Sequence, residues 1–230
     1  MFSRKAHVEA LLKRSADDLK KIESKYNNSL HAQVIADDLR IDIKDFLEKL
    51  RSVLDYLAHD IRETHCPDAS PKILFYFPVL ADRPKFDGKV GEWYPGLELK
   101  SPDLYAYLES LQPYHNDYLW LRSFNRINNE NKHKNLVPQT RKEIKQIRVT
   151  SAHGSVAWRP ENVKFGPGVA VFGVPIDPKT QMPERHPSQT VEQIIWVDFH
   201  FEGENISALG LMNKAYQGIS RIVDDVGKWL

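Results

Sequence analysis

The sequence predicts an α+β protein, with an N-terminal helical bundle and a C-terminal helix packed on an antiparallel sheet. Three observations carry this expectation. Apolar residues recur at helical spacing over most of the first 131 positions. After Pro138 the pattern changes to short β-branched and aromatic runs separated by Gly and Pro. From residue 206 helical spacing returns and continues to the last residues of the chain.

The first helix is expected over residues 5–27, from the spacing of Val8, Leu11, Leu12, Leu19, Ile22 and Tyr26 among Lys, Asp, Glu and Ser. Asn27-Asn28 is read as its end. A second helical pattern covers residues 30–62 through Val34, Leu39, Ile43, Phe46, Leu47, Leu50, Leu54, Leu57 and Ile61. Its length predicts a kink or interruption near Arg40–Asp42, and the two helices should pair antiparallel. Cys66-Pro67 and Ser70-Pro71 close this region.

ILFYFPVL, residues 73–80, is short, aromatic and apolar, and is read as a strand or an extended segment buried on the helices. The stretch leading to Trp93, Tyr94, Pro95 and Gly96 is read as a loop. Ser101-Pro102 has helix-start chemistry for a helix to residue 111, and another helix should span 116–131. Strands are expected at 144–151, 154–158, 168–175 and 190–201, and the last helix at 206–229. The organisation is therefore a mainly helical region over 1–137, a β-rich region over 138–204, and a C-terminal helix over 205–230 that completes a single compact unit.

Composition narrows the function classes. Of 230 residues, 41% are hydrophobic and 27% charged, which suits a packed globular protein. Lys plus Arg number 32 against 31 Asp plus Glu, so net charge offers no DNA signal and no membrane partner. The lone Cys66 fits a reducing compartment and excludes a multi-cysteine metal site. No run approaches about 18 uninterrupted apolar residues, so no transmembrane span is expected, and the expected location is cytoplasmic. The glycine-rich nucleotide signatures and the GxSxG of hydrolases are absent, and no cofactor is expected.

Two segments carry candidate chemistry. LRSFNRINNENKHKNLVP, residues 121–138, gathers Arg122, Asn125, Arg126, Asn128, Asn129, Asn131, Lys132, His133 and Lys134 at a helix end. One reading is a solvated end, with cations meeting the negative pole of the helix dipole. The other is a polar site in which Arg holds a phosphate and His moves a proton. In LRSVLDYLAHDI, residues 50–61, the steps of four put Arg51, Asp55 and His59 on one helix face. This face either pairs internally or meets the Arg126–His133 segment as a cluster of Asp, His, Arg and Asn. Asp55, His59 and His133 also have the ligand types of a metal site, but no metal motif supports them, and none is predicted. An aromatic-rich set that includes Trp93, Tyr105, Tyr114 and Trp120 is read as core before base stacking.

These motifs, with LESLQPY between them, resemble a group of uncharacterised bacterial proteins. That group has an L-R-x-x-L-D-x-L-A helix and a later helix ending N-x-x-D-K-H-[RK]-x-L. The resemblance spans most of the chain, departs at Asn131 where Asp is usual, and brings no activity with it. A more distant similarity is to HEPN domains, helical bundles whose motif is an Arg followed by four to six residues and a His; six lie between Arg126 and His133. That similarity implies a homodimer acting on RNA without metal. His133 would move the proton, Arg126 would stabilise the phosphorane, and Asn129 and Lys132 would support them. Two expectations stand: a non-catalytic binding or regulatory module, linked to bacterial defence or stress, and an HEPN-like ribonuclease. The binding residues expected are Asn129, Lys132, Arg51, Asp55 and His59.

Overall fold

The computed structural model describes residues 2–32, 37–133, 139–202 and 206–230, with side chains throughout except at 28–32, 132–133, 139–141, 144 and 194–197. The fold is α+β: helices occupy both ends, and antiparallel β structure lies between them. The chain divides into two compact units, one made of residues 1–139 and 200–230, the other of residues 140–199.

In the first unit α1 (Lys5–Ala32) and α2 (Asp37–His65) lie antiparallel. Their ion pairs run in opposite chain directions: Arg4 to Asp60 at 2.9 Å, Lys49 to Asp18 at 3.2 Å and Lys25 to Asp42 at 2.5 Å. Val8, Ile22 and Tyr26 of α1 are buried, as are Phe46, Leu50, Leu54 and Leu57 of α2. α1 runs through the Asn27-Asn28 pair to Ala32. α2 begins only at Asp37 and continues to His65, so of the kink or interruption expected at 40–42 the interruption is missing. Val34, expected within that pattern, lies outside the described residues.

Three helices follow, α3 (Arg83–Trp93), α4 (Leu97–Lys100) and α5 (Pro102–Ser110). α3 replaces an expected loop. Asp82 caps it by accepting the Lys85 N–H at 2.9 Å, and Pro84 sits in its first turn, both sound start signals. Gly88 and Gly91 and a thin apolar face, with only Phe86 and Val90 buried, weaken its pattern. A 3₁₀ turn at Asn116–Tyr118 leads into α6 (Leu119–His133), and α7 (Ala208–Val226) packs on α1, α2 and α6. Ser207 caps α7 through the Gly210 N–H, and Leu211, Met212, Ala215, Ile219 and Ile222 form its buried stripe.

The second unit is built on β1 (Gln139–Ser151), β2 (Gly154–Trp158) and β5 (Gln189–Phe201), in the order β2-β1-β5. β1 and β2 form a hairpin in register from Ile147↔Trp158 to Ser151↔Gly154. Ile147, Val149, Trp158 and Ile176 make its core. The strand expected at 168–175 instead folds back on itself as β3 (Ala170–Val171) and β4 (Val174–Pro175). Phe172 at φ 48° and Gly173 at φ 80° close the tight turn, a geometry that suits a two-residue hairpin connection. Among the described residues, the sheet therefore has three strands rather than four, beside a small two-stranded ribbon.

Gly218 is a packing requirement within α7. A Cβ there would lie 2.3 Å from Cζ2 of Trp120, so the indole rests directly on the helix backbone. Gly218→Ala gains helix propensity of up to about 1 kcal/mol. It should still lower stability by about 1–3 kcal/mol through overpacking, read by denaturant melts. A variant as stable as wild type would reject this account of the contact.

Arg4 also donates to both carboxylate oxygens of Glu63, at 2.6 and 2.8 Å, and holds that carboxyl below its usual range. The resulting stabilisation is complete above the ordinary Glu range and is lost as pH falls through the lowered value. Glu63→Gln should therefore flatten the acid side of the stability–pH curve. An unchanged acid slope would contradict it.

Candidate functional site

The site begins with residues 70–80, which follow the prolines after α2. The strand or extended segment expected over 73–80 takes no strand conformation. Its backbone groups are satisfied by side chains instead of a ladder. Arg62, buried in α2, donates to the Ser70 and Ile73 carbonyls and lays its guanidinium 4.2 Å from the Phe75 ring centroid. The Tyr94 hydroxyl donates to the Tyr76 carbonyl at 2.8 Å, and complete burial raises that phenol well above its usual range. Gln112, fully buried, donates to the Pro78 carbonyl at 3.1 Å and accepts the Leu80 N–H at 2.8 Å. Phe77 is thereby turned into the core, while Tyr76 is left 49% exposed.

Tyr76 meets Trp93, the last residue of α3, edge to face, with ring centroids 6.0 Å apart at 78°. These two rings form one wall of a cavity of about 440 Å³, with Phe77 and Val79 beside them. The rest of the lining is polar. From α2 come Arg51 and Asp55, one turn apart, with Arg51 Nη2 at 3.0 Å from Asp55 Oδ1. From α6 come Asn125, Asn128 and Asn129, whose spacing places them on one helix face. Arg51 Nη1 donates to Asn125 Oδ1 at 3.0 Å and so ties the two helices together. The guanidinium also lies 5.9 Å from the Tyr76 ring centroid.

Asn128 is the unusual member. It is only 2% exposed, and among the described residues its Oδ1 has no hydrogen-bond partner. Leu121, Phe124 and Asn128 share the buried stripe of α6, so helical spacing asks for an apolar residue where this amide stands. A buried, unsatisfied amide oxygen costs about 1–3 kcal/mol. Here it lines a cavity able to admit a donor.

Of the residues expected in a site, Arg51, Asp55 and Asn129 come together at this cavity. His59 does not line it; its exposed ring packs edge to face on Phe75 at 4.7 Å. Arg126 projects elsewhere, with Nη1 on Glu130 at 2.9 Å and Nη2 on the Glu202 carbonyl at 3.1 Å. The side chains of Lys132 and His133 lie outside the described residues. His65 Nε2 is 3.0 Å from the Trp229 carbonyl oxygen, and burial pushes the Cys66 thiol up. Among the described residues no cluster of three or more His, Cys, Asp or Glu is placed to hold a metal.

Sequence reasoning named Asn125 and Asn128 only as parts of a polar segment and left Tyr76 out. Asn128 had a visible signal, an amide in an apolar stripe. Tyr76 had none, because its place depends on bonds from Arg62, Tyr94 and Gln112, all distant in sequence.

No protein-family model matches the chain, and the comparisons with curated proteins and with solved structures found no match.

Replacing the Asn128 amide by an isosteric apolar group should relieve the unmet oxygen. Asn128→Leu is expected to stabilise the ligand-free protein by about 1 kcal/mol, measured by thermal and urea unfolding. Destabilisation by a similar amount would mean that the amide has a structural partner.

Proposed function

We propose that this chain is a ligand-binding module whose site is the cavity between α2, α6 and the Tyr76–Trp93 wall. The observation that carries the reading is the buried, unpartnered Oδ1 of Asn128 on the cavity lining. Natural sequences lose stability by keeping such a group in an apolar stripe, and selection retains the loss where the group does something else. Arg51 and Asp55 support binding over catalysis, because each already meets the other and neither is poised as a lone base or a free cation. The aromatic wall facing a few convergent polar groups is the usual make-up of a small-molecule site.

The ribonuclease reading draws less support. It needs Arg126 directed at a phosphate, whereas its terminal nitrogens meet Glu130 and the Glu202 carbonyl. The RNA and homodimer expectations belong to that reading and share its standing. A regulatory role in a bacterial defence or stress system is compatible with a binding module and rests on the resemblance of its motifs alone.

The test is a side-chain amide NMR titration of ¹⁵N-labelled protein with a probe panel of nucleosides, monosaccharides, free amino acids and primary amides. At least one class should shift the Asn125, Asn128 and Asn129 resonances, and Arg51→Met should abolish the shift. Silence at these resonances across the panel would overturn the binding reading. RNA cleavage in excess EDTA that Arg126→Ala removes would replace it with the ribonuclease.

A further inference from the structure

We infer that the cavity takes a neutral, planar nitrogen ring with hydrogen-bond donors and acceptors side by side on one edge, the chemistry of an uncharged nucleobase or nucleoside. This rests on the binding reading above and adds the ligand class. Three observations on the cavity lining lead to it.

The first is charge. Arg51 is the cation of the lining and Asp55 its anion, and they sit 3.0 Å apart. Lys89, beside the wall, lies 5.8 Å from the Trp93 ring centroid, with its ammonium on Glu92 at 2.8 Å. A phosphate site presents free Arg or Lys donors or a helix N-terminus. Among the described residues this lining presents a neutralised pair and amides, which suit a neutral ligand better than a phosphate.

The second is the balance of polar and apolar groups. Tyr76, Phe77, Val79 and Trp93 make nearly half of the lining. A monosaccharide carries a hydroxyl on almost every carbon, and several would be stripped of water against this wall with no partner, a costly arrangement. A planar base has the opposite distribution. Its faces are apolar and polarisable, and stack on aromatic rings. Its polar atoms lie along the edge.

The third is the set of donors and acceptors. Asn128 Oδ1 is an open acceptor, Asp55 accepts only, Arg51 donates only, and Asn129 does both. A ring edge in which a donor neighbours an acceptor meets such a set, as the paired contact of an Asn amide with adenine does elsewhere. A ring N–H or exocyclic amine would give Asn128 the donor it lacks. The volume of about 440 Å³ lies toward the small end of ligand sites and suits one base, with or without its ribose.

The experiment is calorimetric titration of the full chain with adenosine, guanosine, cytidine and uridine, each of their 5′-monophosphates, and methyl α-D-glucoside. The NMR resonances of Asn125, Asn128 and Asn129 locate any binding. At least one nucleoside is expected to bind at these resonances, with its monophosphate no tighter. Asn128→Leu, which should fold at least as well as wild type, is expected to weaken that nucleoside about tenfold or more. Trp93→Ala, a change at a helix end, is expected to weaken it about tenfold through lost stacking.

A monophosphate binding tenfold tighter than its nucleoside would overturn the inference, as would a nucleoside that Asn128→Leu binds unchanged. If the glucoside, an amino acid or a primary amide shifts the three Asn resonances while no nucleoside does, the ring assignment fails and the binding module survives. If nothing in either set moves them, both fall together.

Discussion

The amide of Gln112 has no exposure to water, and much of the first unit's architecture turns on it. It reaches the Pro78 and Leu108 carbonyls and the Leu80 N–H, so one side chain joins the end of α5 to a segment thirty residues earlier in the chain. A segment rich in Ile, Leu, Phe and Tyr would otherwise look for strand partners, because its backbone groups must be paired somewhere. Arg62 and Tyr94 complete the arrangement from α2 and from the residue after α3. The wall of the candidate site is thus held by side-chain bonds from three separate parts of the chain, and no part of it is a regular strand.

That construction explains what could be read from the sequence. The long helices were legible because their apolar stripes repeat for several turns, as in Leu50, Leu54, Leu57 and Ile61, and burial follows the stripe. The β region was legible in kind for the same reason. What escaped was local or distant. The turn at Phe172-Gly173 divides one apparent strand into two, and its positive φ at a Phe has little sequence signature. α3 was hidden by its two glycines. The 73–80 segment reads as a strand or an extended segment by composition, and only partners 11 to 34 residues away exclude the strand.

The same division applies to the candidate site. The α2 face, Arg51 with Asp55, was visible as a step of four, read either as an internal pair or as a face meeting the Arg126–His133 segment; the structure has the pair, and Arg51 also reaches Asn125, one residue before that segment. His59 shares the step but not the destination, because one further turn along α2 brings it against Phe75 instead of α6. Arg126 lies beside Asn125 in sequence and points away from it in space, as neighbouring positions on a helix do. Spacing identified the helix faces, but the aromatic half of the cavity could come only from tertiary structure.

The division of the chain into units has a consequence for synthesis. The first unit is discontinuous: α7 closes it, yet the whole of residues 140–199 stands between α6 and α7 in the sequence. Met212, Ala215 and Ile219 are fully buried, so the core of α1, α2 and α6 lacks one side until α7 has left the ribosome. During that interval the three earlier helices hold apolar surface open to the cell, the state in which nascent chains recruit chaperones or aggregate. The second unit, with its sequence-local β1–β2 hairpin, is free to form first. The order of emergence therefore favours an inserted unit that folds while its host is still waiting to close.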